Sequence, residues 1–285
     1  MNSVSSTKYT SAVKENSILS FNDAGRFPIS LVEFDVQVTS DDQPIIFHDN
    51  FILTGDEESG VVSEKRVTDL SLQEFLSHNA MPLLRRTHDG QIVEWVVEND
   101  APLCTLEEAF LKVNPDLGFN IELKFDDDIA YTDEELTHRL QVVLQCAVQY
   151  SGNRRIIFST FQPDAARLVR RLQGLYPVFF LTDGGTEIYG DARRNSLEEA
   201  VKLCTECGLQ GIVSEVRGVP RDPWVISEVK ELGFGLLTYG QLNNVAEVVF
   251  LQHLMGVDGV IVDRVREITE SVSEFLGRFQ GEGDG

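Results

Sequence analysis

The chain has 285 residues, 42% of them hydrophobic and 25% charged. Those are the proportions of an ordinary folded protein large enough to bury a core, which excludes disordered, collagen-like and low-complexity classes. Asp plus Glu number 46 against 24 Lys plus Arg, a net charge of −22; such a field repels nucleic acid and anionic lipid, yet it admits a small anionic substrate if a divalent cation reverses the sign within one cleft.

The N-terminus, MNSVSSTKYTSAVK, has no apolar core and so does not read as a secretory signal. It is rich in Ser and Thr and has no acid before Glu15, a faint likeness to a transit peptide. No window reaches the ~18 consecutive apolar residues of a membrane-spanning helix. The expectation is a cytoplasmic protein with no stable membrane insertion, or one in an organelle such as a plastid if the chain extends further at its N-terminus.

A helix pattern over 15–27 comes first, with no strand ahead of it. Seven β-branched or aromatic runs follow, at 31–38 (LVEFDVQV), 117–124 (LGFNIELK), 155–161, 177–182, 209–214, 234–239 and 258–263. Helix patterns separate them at 133–150, 164–173, 196–207, 223–232 and 242–255, and a last one covers 265–279. Strand–helix alternation of this length predicts parallel strands. An open doubly wound sheet usually carries a Gly-rich phosphate turn after a strand, and none is present. The pattern therefore reads as an α/β fold, a (β/α)8 TIM barrel whose first strand is missing. Residues 1–285 read as one domain.

The segment around residues 50–105 is long for one connection. It holds a helix pattern at 71–77 and a hairpin at 87–96 turning on His88-Asp89-Gly90, after a hairpin-like run at 44–48. Long barrel insertions commonly wall or cover a site. Cys104, Cys146, Cys204 and Cys207 read as thiols of a reducing compartment, and the lone CxxC lacks further ligands at zinc spacing.

Period-two alternation puts Glu33, Asp35 and Gln37 on one face of the first run, and Asn120, Glu122 and Lys124 on one face of the second. In a barrel the apolar alternate faces the helices, so these polar side chains point inward. Three carboxylates with one lysine are short of positive charge, and a hard divalent cation, Mg²⁺ or Ca²⁺, resolves the imbalance. His48 closes PIIFHD at a strand end, a fitting place for proton transfer. His78, His88, His138 and His253 sit in loop or amphipathic-helix contexts and read as having no role. No GxSxG, Walker loop or HExxH motif occurs.

The runs ENSILSFNDA, VEFDVQVTSDDQPIIFHD, FNIELKF, IIFSTFQPDAARLVRRLQGLYPVFFLT, LLTYGQLNN and GVDGVIVD, in this order over about 14–267, resemble the glycerophosphodiester phosphodiesterase family. RRNSLEEAVKLC and DAPLCTLEEAF resemble its plant-like branch. The resemblance implies a (β/α)8 barrel that hydrolyses glycerophosphodiesters, such as glycerophosphocholine, to sn-glycerol 3-phosphate and an alcohol with a divalent metal. It implies Glu33, Asp35 and Glu122 as metal ligands, Lys124 beside the substrate phosphate, and His48 as one of two acid/base histidines.

The family's other histidine lies in an HRG motif on the first barrel strand, and His-Arg-Gly occurs nowhere in this chain. The missing strand and the missing motif are one absence. The expectation is that Met1 is internal to a longer chain and that residues 1–285 alone have reduced activity. A non-catalytic barrel with a binding or regulatory role is the alternative. A Schiff-base aldolase using Lys124 is disfavoured, because the nearby Glu122 would raise rather than lower the lysine's pKa.

Overall fold

The computed structural model describes residues 11–55, 61–87, 90–221 and 224–281. Seven strands form its centre: β1 (Leu31–Val38), β2 (Gly118–Leu123), β3 (Ile156–Thr160), β4 (Val178–Thr182), β5 (Gly211–Glu215), β6 (Gly235–Tyr239) and β7 (Gly259–Val260). They pair in chain order, and each pairing is parallel. Helix α1 (Ile18–Ala24) precedes β1; α2 (Leu72–Ser77) and α3 (Leu106–Lys112) lie between β1 and β2. Next come α4 (Asp133–Tyr150), α5 (Pro163–Leu172), α6 (Leu197–Cys207), α7 (Trp224–Glu231), α8 (Ala246–Met255) and α9 (Val265–Gly281). This is the α/β order of a (β/α)8 barrel. Among the described residues no strand pairs with the outer edge of β7; contrary to the sequence reading a short strand does precede α1, Ser11–Val13, but it pairs in parallel with Val97–Asn99 of the insertion and not with the barrel.

The two faces of the sheet bury different chemistry. Outward residues such as Val32, Phe34, Phe119 and Phe158 join the helices in the main core. Phe34 lies 4.9 Å edge-on from Phe119 and 5.0 Å from Phe21 of α1, and Phe110 of α3 closes on Phe119 at 5.3 Å. Inside the ring, Phe179, Leu181 and Val213 form a second apolar cluster with Ile157, Phe161, Leu237, Tyr239 and Ile261. Gly211 and Gly235 leave room for the Phe179 ring, which a Cβ at either would meet within 2.7 Å. β1 and β2 turn Glu33, Asp35, Gln37, Asn120 and Glu122 into this interior, and β3 adds Ser159, which bonds to Asn120.

Two of the boundaries that differ from the sequence expectation have a visible local cause. The last strand is short because the backbone N–H groups of Asp263 and Arg264 bond to the Asn244 side chain instead of a ladder (2.9 and 3.0 Å). Helix α8 begins at Ala246, after a tight turn at Gln241–Asn244 whose buried Asn243 donates to Thr238 O and Ile261 O, both at 3.0 Å.

The insertion is more ordered than its sequence suggests. Strands Phe51–Gly55, Val62–Arg66, Leu83–Arg86 and Ile92–Glu94 form an antiparallel sheet. The last two are the arms of the expected hairpin; its turn residues His88 and Asp89 lie outside the described residues. The insertion has its own core around Phe47, Ile52, Val67, Phe75 and Leu83. Arg66, stacked 4.5 Å from the Phe51 ring, forms a largely buried ion pair with Asp126 in the loop after β2, which fastens the insertion to the barrel beside Lys124.

At the opposite end of the strands, Arg154 is buried beneath Phe119, with 4.1 Å from guanidinium to ring. It donates to the carbonyls of Leu117 (2.5 Å), Asn114 (2.7 Å), Val113 (2.9 Å) and Phe110 (3.4 Å), which closes off the C-terminus of α3. Truncation would strand several buried acceptors at once. Arg154→Ala should therefore lower the unfolding free energy by about 3 kcal/mol in urea titration, and Arg154→Lys should not restore it, because an ammonium lacks the planar fork.

Candidate functional site

The parallel register of β1 and β2 sets Glu33 beside Asn120 and Asp35 beside Glu122. One carboxylate oxygen from each of Glu33, Asp35 and Glu122 lies within 4.8 Å of the others. The Lys124 ammonium is 3.1 Å from Glu122 and 3.5 Å from Asp35. Four of the five residues singled out in the sequence thus meet in one place, inside the ring and toward the C-terminal ends of the strands.

The electrostatics are those of an under-compensated anionic cage. Burial, together with Asp35 and Glu122, holds the Glu33 carboxyl well above its ordinary range. Burial likewise raises Glu122 to about 7, although Lys124 opposes it. Burial also works against the Lys124 charge, but Glu122 and Asp35 outweigh it and keep the ammonium charged. Fully ionised, three carboxylates and one ammonium leave 3 − 1 = 2 negative charges uncompensated. Clustered hard oxygen donors of that charge fit a divalent cation such as Mg²⁺ or Ca²⁺.

His48 sits at the rim, more exposed than the others, and bonds to none of the three acids. Its Nδ1 is 2.7 Å from Asp49 Oδ1. That hydrogen bond raises the imidazole pKa against the effect of burial, with help from the charge of Asp35. The His48 backbone is held from both sides. Gln37 Nε2 donates to Phe47 O (2.8 Å) and Asp49 O (2.9 Å), and the Phe47 N–H donates to Asp35 O (3.0 Å). Gln37, placed by the alternation on the same face as the acids, therefore acts on the loop that carries the histidine.

Asn16 escaped the sequence reading. Its Nδ2 donates to Asp35 Oδ2 at 2.9 Å, and its Oδ1 accepts the Asp35 N–H at 3.1 Å. Its φ is +53°, in the left-handed region that asparagine enters more readily than most residues other than glycine. Neighbouring Ser17, the cap of α1, fixes this turn by donating to Lys14 O at 2.6 Å. Glu15 belongs to the same neighbourhood: burial raises its carboxyl, while Arg85 and His48 act to lower it.

Across the barrel mouth the strand ends present an aromatic wall. Asp183 accepts hydrogen bonds from Tyr189 (2.6 Å) and Tyr239 (2.7 Å), and Tyr239 meets Phe161 edge-on at 5.9 Å. Arg194 stacks 3.7 Å over Tyr189 and reaches Asp127 at 2.7 Å. No motif pointed to this wall, because its members come from separate loops. The four cysteines are free thiols, and burial pushes Cys104, Cys146 and Cys204 up to about 12, far from the thiolate form. Among the described residues no helix is long and apolar enough to cross a membrane.

Comparison with known proteins identifies the family. Residues 5–267 match the Glycerophosphoryl diester phosphodiesterase family. The chloroplastic glycerophosphodiester phosphodiesterase GDPD1 of Arabidopsis thaliana is 57% identical over 96% of this chain and 78% of its own length. The human glycerophosphocholine phosphodiesterase GPCPD1 is 29% identical over 91% of this chain and 42% of its own. The fold is shared with an Oleispira antarctica phosphodiesterase solved with the product sn-glycerol-3-phosphate, at TM-score 0.67, 19% identity and 91% coverage of each chain. The chain thus belongs to the glycerophosphoryl diester phosphodiesterase family, in its plant-like branch, and is by class a phosphodiester hydrolase.

Proposed function

We propose that this chain hydrolyses glycerophosphodiesters to sn-glycerol 3-phosphate and an alcohol in a reaction that depends on a divalent cation. The observation that carries this reading is the convergence of Glu33, Asp35 and Glu122 to within 4.8 Å, with Lys124 against two of them. These three residues would hold the cation, Mg²⁺ or Ca²⁺. When bound, such an ion offsets phosphodiester charge and acidifies a coordinated hydroxyl or water.

The remaining steps fall to side chains of the chain itself. Lys124, kept charged by its acidic neighbours, faces the phosphate and stabilises the negative charge that builds on its oxygens. A water oxygen forms a bond to phosphorus while the bond to the alcohol oxygen breaks, its proton passing to solvent at the barrel mouth; where a glycerol hydroxyl attacks first, the alcohol leaves in the same way and water then opens the cyclic phosphate to sn-glycerol 3-phosphate. His48 donates its Nδ1–H to Asp49, which leaves Nε2 for the reaction. Its raised pKa keeps the imidazolium present near neutrality, so Nε2–H protonates the departing alkoxide. A plastid location is supported by the relative whose name places it in the chloroplast.

An assay of glycerol 3-phosphate release from glycerophosphocholine tests the reading. Turnover should require Mg²⁺ or Ca²⁺ and stop on chelation; turnover indifferent to chelator would refute the cation-dependent account. His48→Asn should lower kcat by about 10²–10⁴-fold while the protein still binds the cation.

A stability measurement gives an independent check. Glu122 is raised from 4.5 to about 7 in the fold, so the cation-free protein holds a proton that the unfolded chain releases. Stability from this group is therefore lost as pH rises through that window, and a cation that favours the ionised form restores it. Added Mg²⁺ or Ca²⁺ should raise Tm more above about pH 7 than below about pH 5.

A further inference from the structure

Asn120 carries a buried amide that the proposed chemistry leaves unused. The residue is 2% exposed, and its Nδ2 has no hydrogen-bond partner. Its Oδ1 is engaged: the fully buried Ser159 on β3 donates to it from Oγ at 3.0 Å. An unsatisfied buried donor is costly, so it persists where another state of the protein satisfies it. With the carbonyl end held toward β3, the amino end is the one left for β2's other neighbour, β1. The residue in register there is Glu33, which shares the interior face.

We propose that Asn120 is a positioning residue for Glu33. When the acidic site holds a cation, Asn120 Nδ2 donates to the Glu33 carboxylate and turns its other oxygen toward the ion, and Ser159 fixes the amide so that a donor faces the acid. Asp35 is oriented in the same manner by Asn16 from outside the strand pair, so each carboxylate of β1 would have its own asparagine amide. The inference rests on the reading that Glu33, Asp35 and Glu122 bind a divalent cation. Partners that orient metal-binding carboxylates typically contribute 10–100-fold in affinity.

Calorimetric titration of the whole chain with Mg²⁺ and with Ca²⁺, without substrate, provides the test. Asn120→Leu keeps the side-chain volume and removes the donor. It should weaken cation binding by about ten-fold or more while Tm in the absence of cation changes little, because the stranded Asn120 Nδ2 is removed and the Ser159 hydroxyl loses its acceptor in exchange. Ser159→Ala, which frees the amide to turn, should weaken binding in the same direction by a smaller factor. Cation affinity within two-fold of the unaltered protein in Asn120→Leu would overturn the inference, as would an affinity drop matched by a large fall in cation-free Tm. If Asn120→Leu fails to fold, Ser159→Ala decides: unchanged affinity rejects the role. An unaltered protein that binds neither ion rejects the cation reading itself, and with it this inference.

Discussion

The structure turns on a concentration of negative charge where two strands lie side by side. Parallel pairing of β1 with β2 places Asp35 next to Glu122 and brings Glu33 within reach of both. A hydrophobic barrel elsewhere lowers the local dielectric, which strengthens the repulsion among these acids and makes one lysine insufficient. Burial above all, with the neighbouring acids adding to it, raises the Glu33 and Glu122 carboxyls. Apolar side chains from Ile157 to Ile261 fill much of the remaining interior.

The surroundings hold this arrangement in place by hydrogen bonds more than by salt bridges. Asn16, from a left-handed turn, holds Asp35, and Gln37 holds the carbonyls on either side of His48. Neutral donors fix the geometry without cancelling the charge needed for a cation. Arg154 and Arg66 instead serve structure: Arg154 closes α3, and Arg66 anchors the insertion.

Much of this was legible in the chain because buried strands and period-two alternation are local signals. The run 31–38 matches β1 residue for residue, and α4 matches its helix pattern at both ends. The inward set of Glu33, Asp35, Glu122 and Lys124 followed from alternation together with the demand that apolar residues face the helices. Contacts that depend on register or loop closure were not legible. Asn16 reaches Asp35 across 19 residues, and Asp183 is joined to Tyr239 across 56. The sheet of the insertion was missed for another reason: strand Val62–Arg66 is mostly exposed and charged, so it carries no hydrophobic alternation.

Diffraction from crystals grown with Mn²⁺, an anomalously scattering stand-in for the divalent ion, tests the central claim most directly. The account predicts one strong anomalous peak per chain, bounded by oxygens of Glu33, Asp35 and Glu122, with Lys124 drawn away from at least one of its acidic partners. A map with no peak there, and with the Lys124 ammonium still seated between Asp35 and Glu122, would contradict it.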